Sequence, residues 1–219
     1  MTPEQLRAAL RLYLVVDPDH TAGDLADTVR AAIAGGVTIV QLRSKGRTDR
    51  DTLAIGAPLR VICSDAAIPF LVNDRLDLAL ALDADGIHLG IDDLPLDDAR
   101  RLISPQRLIG YSPETEEQTR TAAARGADYL GIGPIFGTAT KSDAGAALGP
   151  EGFARRRSLS PLPVVAIGGI TPINAREAIA AGADGVAVVS AILKAPDPAA
   201  AARALRTAIT PSSGPRPRS

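Results

Sequence analysis

The chain has 219 residues, 46% of them hydrophobic, enough to bury a large core within one domain. Its 24 basic and 25 acidic residues leave a net charge of −1 and are finely mixed, and aromatics make up only 3%. These values exclude the basic stripe with interleaved aromatics of a nucleic-acid binder. No stretch approaches the roughly 20 apolar residues of a bilayer span, and one cysteine cannot form an internal disulfide.

The opening MTPEQLRAALR reads as a short helix with a polar face, not as a charged segment followed by an apolar run. No signal peptide is expected, and a cytoplasmic location follows, in keeping with a lone reduced thiol. β-rich runs then recur at LYLVV (12–16), TIVQLR (38–43), FLVND (70–74) and GIHLG (86–90). Four more follow at RLIGYS (107–112), YLGIGPI (129–135), VVAIGG (164–169) and GVAVVS (185–190). They carry adjacent apolar residues more than clean alternation, as strands buried on both faces do.

Helical patterns lie between them, such as DLADTVRAAIAGG and INAREAIAAG, and Gly35, Gly126 and Gly182 suit left-handed C-terminal caps. Cys63, beside Leu59, Val61 and Ile62, reads as core packing. One β–α unit about every 25 residues requires parallel pairing with helical crossovers, and eight units close a (β/α)8 barrel over residues 1–210. A doubly wound open sheet is the alternative. The Pro/Ser/Gly-rich tail, 211–219, is expected to be disordered.

In such a barrel the reactive side chains sit at the C-terminal ends of the strands. Strand two exits through Gln41, Arg43 and Lys45, strand three through Asn73 and Asp74, and strand four through His88 toward Asp92 and Asp93. Strand five ends at Ser112, and strand six runs into Thr138, Ala139, Thr140 and Lys141. Asp74 and Asp93 leave neighbouring strands and could share a magnesium ion, which favours a few carboxylates plus phosphate oxygens. Arg43, Lys45 and Lys141 would then face a polyphosphate. Gly168-Gly169, Val188 and Val189 occupy the usual phosphate-binding position after strands seven and eight, with Thr171 available to cap the next helix. The plainer readings are rim salt bridges for the charges and a tight turn for the glycine pair. Asp92 and His20 read as exposed, His88 as either a buried histidine or a ligand contact, and Arg155, Arg156 and Arg157 as a solvated helix face.

The strings QLRSK, VNDRLDLALALDADGIHLG, GADYLGIGPIFGTATKSDA, PVVAIGGI and ADGVAVVSAI occur in order over nearly the whole sequence. Together they resemble the thiamine-phosphate synthase family. The resemblance implies a transferase on a TIM barrel that joins a hydroxymethylpyrimidine diphosphate to a thiazole phosphate, or its carboxylated tautomer, and releases pyrophosphate. It implies that Gln41, Arg43, Lys45, Asn73, Ser112 and Lys141 hold the pyrimidine diphosphate, with Leu42 and Ser44 of the same segment also binding substrate. Asp74 and Asp93 would bind Mg2+. Thr138, Ala139, Thr140, Gly168, Val188 and Val189 would hold the thiazole phosphate, with His88 at the pyrimidine end.

Arg43, Lys45, Lys141 and Ser112 are the implied catalytic set. The implied partners are these small molecules only, with neither nucleic acid nor membrane, and a homodimer is compatible. Ser44, Ile91 and Glu114 depart from the family pattern, which commonly has an acid, Gln and His there. A thiazole tautomerase-like paralogue is the nearest alternative, disfavoured by Glu114 in place of its histidine and by the intact charged set. A non-catalytic precursor-binding protein is the other.

Overall fold

The computed structural model describes residues 1–21, 23–138 and 145–210. Eight strands close into a barrel in sequence order: β1 (Leu12–Val16), β2 (Ile39–Leu42), β3 (Phe70–Asn73), β4 (Gly86–Leu89), β5 (Leu108–Tyr111), β6 (Tyr129–Ile132), β7 (Val164–Ile167) and β8 (Gly185–Val188). All pairs are parallel, and β1 closes on β8 with Leu12 opposite Val186. The open-sheet alternative is thereby excluded. Each strand lies within its expected run.

The helices are α1 (Pro3–Ala9), α2 (Leu25–Ala34), α3 (Asp49–Asp65), α4 (Leu76–Ala81), α5 (Leu96–Leu102), α6 (Glu116–Thr121), α7 (Gly149–Arg157), α8 (Ala175–Ala180), α9 (Ser190–Leu193) and α10 (Pro198–Ile209). Among the described residues none is long and apolar enough to cross a membrane. The 211–219 tail lies outside the described residues.

Two apolar layers form because each strand is covered on both faces. The outer layer packs strands on helices and takes in Leu42, Val72, Leu130 and the buried Cys63. The inner layer fills the barrel with Tyr13, Val15, Ile39, Leu71, Leu108, Tyr129, Val165 and Ala187, and Leu6 and Leu10 from α1 and its C-cap join it from below. α1 is fixed by a reciprocal cap, in which Gln5 N donates to Thr2 Oγ1 and Thr2 N to Gln5 Oε1.

A repeated device pins the N-terminal end. The residue before each even strand folds back on the odd strand preceding it. Asp85 accepts from Phe70 N at 2.8 Å, Asp128 from Ile109 N at 2.7 Å and Asp184 from Val164 N at 2.8 Å. Thr38 Oγ1 does the same for Leu12 N at 2.9 Å.

Three local expectations need correction. Gly126 and Gly182 are left-handed as expected, but after α2 the positive φ falls on Gly36. Gly35 is right-handed, and a Cβ there would lie 2.4 Å from Ala199 O, so its missing side chain admits α10 against α2. Thr171 does not cap α8 with its side chain. Its carbonyl accepts from Ala175 N, while Asn174 bridges Thr171 N and Gly169 O. Of the three arginines on α7 only Arg155 is exposed. Arg156 donates to Glu114 O, and Arg157 holds Gly182 O, Ser160 O and Asp184. A run of like charges hides such separate tethers, because backbone carbonyls as acceptors leave no sequence pattern.

Candidate active site

Strand register sets which side chains meet at the C-terminal mouth. Val16 pairs with Leu42, so Asp17 follows beside Arg43, and Arg43 N continues the ladder to Val16 O at 2.8 Å. Asp17 is 6% exposed and accepts from Arg43 Nη1 at 2.6 Å. His20, expected as a free surface residue, sits half-buried in the turn Pro18–His20 with Nδ1 3.6 Å from Asp17. Asp17 was not anticipated from sequence. Its signal was its place directly after the first strand, where a barrel presents functional groups.

On the next two strands, Asn73 pairs with His88, and Asp74 N donates to His88 O at 2.8 Å. This brings Asp74 and Asp93 together. Burial first, and then a hydrogen bond and the charge of Asp93, push the Asp74 carboxyl up to about 6, against the pull of Lys45. Lys45 Nζ stands 3.6 Å from Asp74 Oδ2, and Asp93 Oδ2 accepts from Gly90 N at 2.6 Å. Asp74 holds a left-handed backbone (φ 62°), a conformation that short polar residues such as Asp tolerate best. Asp92 is exposed, as expected.

Two acids forced together, with a lysine beside them, form a donor set suited to a hard divalent cation. Among the described residues no third His, Cys, Asp or Glu joins them. That fits an ion completing its shell with water and phosphate oxygens.

His88 lies between two partners, Ser112 Oγ at 2.8 Å from Nε2 and the Tyr129 hydroxyl at 3.0 Å from Nδ1. Burial lowers its pKa to about 4, although Asp93 pulls the other way, so the ring is neutral at physiological pH. Gln41, 4% exposed, donates to the Tyr13 hydroxyl. Tyr13 and Tyr129 bond directly to Gln41 and His88, a link that sequence reading missed, since a tyrosine in a β-rich run reads as core.

Not every residue near these motifs faces the mouth. Leu42 and Val188 pack into the outer layer, and Ser44 Oγ shares a 3.0 Å hydrogen bond with Thr52 on α3. The side chains of these three are engaged with the helical layer. Val189 packs against the inner layer. Gly168 (φ 99°) and Gly169 (φ 64°) are both left-handed. A Cβ on Gly168 would come within 2.5 Å of Pro134, and one on Gly169 within 2.3 Å of Gly137 O, so this turn needs glycine to pack on the loop after β6. Thr138 lies half-buried at the edge of the described segment, and Ala139, Thr140 and Lys141 lie outside it. Ile91 and Glu114 are exposed at the rim.

The model of the thiamine monophosphate synthase family matches residues 12–192. A thiamine-phosphate synthase from Moorella thermoacetica is 47% identical over 204 residues, covering 93% of this chain and 97% of that relative. One from Albidiferax ferrireducens is 50% identical over 202 residues, covering 92% of each. Among solved structures, the thiamine phosphate pyrophosphorylase from Pyrococcus furiosus superposes with a TM-score of 0.85 at 40% identity, covering 93% of this chain and 97% of that one.

Proposed function

The chain belongs to the thiamine-phosphate synthase family and is a transferase, and from that premise we propose how its barrel mouth carries out the condensation. The site joins 4-amino-2-methyl-5-(diphosphooxymethyl)pyrimidine to a thiazole phosphate, or its carboxylated tautomer, and releases pyrophosphate. The observation that carries this reading is the pairing of Asp74 with Asp93 beside Lys45, with Arg43 on the adjoining strand end.

Asp74 and Asp93 would hold Mg2+, which when bound neutralises charge on the diphosphate as it leaves. Arg43 is already aimed, because Asp17 fixes one edge of its guanidinium and leaves the other for phosphate oxygens. Lys45, 54% exposed, is free to swing from Asp74 to an incoming anion, and Lys141 supplies a further positive charge. Backbone N–H groups around Gly168, Gly169 and Val189 hold the thiazole phosphate.

No general base is required, since the thiazole nitrogen attacks through a lone pair and has no proton to lose. The pyrimidine departs as a resonance-stabilised cation, so the protein must stabilise the leaving diphosphate and exclude water. Glu114 stands exposed where the tautomerase-like alternative needs a histidine, which argues against that activity.

Alanine at Asp93 or at Lys141 tests the assignment. Each substitution is expected to cost about 10²–10³-fold in kcat while the fold persists, the scale for removing a group that stabilises developing charge. Full activity in either variant would overturn the site.

A further inference from the structure

Five polar groups form an unbroken line across the barrel interior. Gln41 Nε2 lies 2.7 Å from the Tyr13 hydroxyl, and that hydroxyl lies 2.8 Å from the one of Tyr129. Tyr129 stands 3.0 Å from His88 Nδ1, and His88 Nε2 stands 2.8 Å from Ser112 Oγ. The line therefore runs from β2 through β1, β6 and β4 to the end of β5, with every member supplied by a different strand or strand end.

The fold reserves space for this line. A Cβ at Gly110 would lie 2.2 Å from Tyr129 Cζ and 2.4 Å from His88 Nδ1. One at Gly131 would lie 3.2 Å from His88 Cε1 and 3.4 Å from Ser112 Oγ. Neither glycine has a positive φ, so what their missing side chains provide is room, not backbone freedom.

Counting protons fixes the sense of the line. A phenol brings one proton to such a line and a neutral imidazole brings one, and both tyrosines lie buried in the barrel interior. Diphosphate oxygens only accept hydrogen bonds. If Ser112 touches the diphosphate, as the proposed function has it, its hydroxyl must donate outward and must accept from His88 Nε2–H. Nδ1 must then accept from Tyr129, Tyr129 from Tyr13, and Tyr13 from an amide N–H of Gln41, which is how Gln41 stands. The opposite sense would set Ser112 and the diphosphate lone pair to lone pair.

We propose that Tyr13 and Tyr129 are positioning residues for the transfer, locking His88 as the Nε2–H tautomer so that the Ser112 hydroxyl proton points at the substrate diphosphate. This rests on the assignment of the diphosphate to the mouth, but its primary readout does not need turnover. The chain has only two histidines, His20 and His88, so long-range proton–nitrogen correlation on 15N-histidine protein reads each ring directly, with His20→Gln for assignment.

His88 is expected to be solely the Nε2–H tautomer, both free and with magnesium pyrophosphate as probe. Tyr129→Phe is expected to mix the tautomers and lower kcat about tenfold, the worth of one hydrogen bond, with a smaller change in KM. Tyr13→Phe should do the same more weakly, because Tyr129 keeps its own proton for His88. A packing role alone would lower stability and leave tautomer and kcat in place. An Nδ1–H ring in the wild-type protein, or a folded Tyr129→Phe with unchanged tautomer and kcat, would overturn the proposal. Should Tyr129→Phe fail to fold, the wild-type spectrum decides alone. A protein that showed the Nε2–H ring but made no thiamine phosphate would contradict the reaction and not the line.

Discussion

At the N-terminal end of the barrel Asp85, Asp128 and Asp184 each accept a backbone N–H and also meet an arginine, whereas at the C-terminal end Asp74 and Asp93 face each other. The first three are satisfied within the fold, and nothing about them calls for a further partner. The second pair is left in mutual repulsion, with Asp74 on a left-handed backbone and its carboxyl raised to about 6. The same side chain serves cohesion at one end and, on the proposed function, ligand binding at the other, and what separates the roles is the neighbour. Local strain of this kind persists where the surrounding structure holds it and a ligand relieves it.

The largest effect that could break the contrast is at the mouth. Asp74→Asn keeps shape and tolerates the left-handed backbone, so it separates charge from geometry. Turnover is expected to fall about 10²–10³-fold, while metal-free stability rises by about 1 kcal/mol as the repulsion disappears. Chemical denaturation beside steady-state kinetics measures both, and a loss of stability with activity intact would reverse the assignment.

At the other end the expectation inverts. Asp184→Ala leaves Val164 N–H without its partner and should cost about 1–3 kcal/mol of stability. The kcat of the folded variant should match the wild type, and a selective loss of kcat would show that the two ends are not separable.

The smallest effect sharpens the boundary of the reactive region. Burial pushes the Cys63 thiol from 9.0 up to about 12. As pH rises past 9 the unfolded chain therefore releases this proton first, and stability declines there instead of rising. At pH 8 the folded protein should resist alkylation that proceeds readily in denaturant, and rapid labelling of native protein would contradict a purely packing role.

Much of this division was legible in the sequence. Eight β-rich runs gave the barrel because strands buried on both faces leave an unmistakable apolar signature. The recurrence of Asn73, Asp74, His88, Asp93 and Ser112 at strand ends gave the mouth. The N-terminal clamps also left a mark, as Ala-Asp stands directly before three even strands, at Asp85, Asp128 and Asp184. Its meaning lay in a hydrogen bond to a residue at least 15 positions away, which local pattern does not encode.

Tyr13 and Tyr129 were missed for a related reason. An inward tyrosine and an outward one look alike in a short buried strand, and only register decides. Leu42 and Ser44 show the converse. They share the segment of Gln41, Arg43 and Lys45, yet the two-residue period of the strand turns them toward the helices.

The most direct measurement is to incubate the purified protein with the pyrimidine diphosphate, the thiazole phosphate and magnesium, and to follow thiamine phosphate by mass beside an EDTA control. Thiamine phosphate and pyrophosphate are expected in equal amounts, with both lost when the metal is chelated. Folded protein that binds the thiazole phosphate but forms no thiamine phosphate would contradict it.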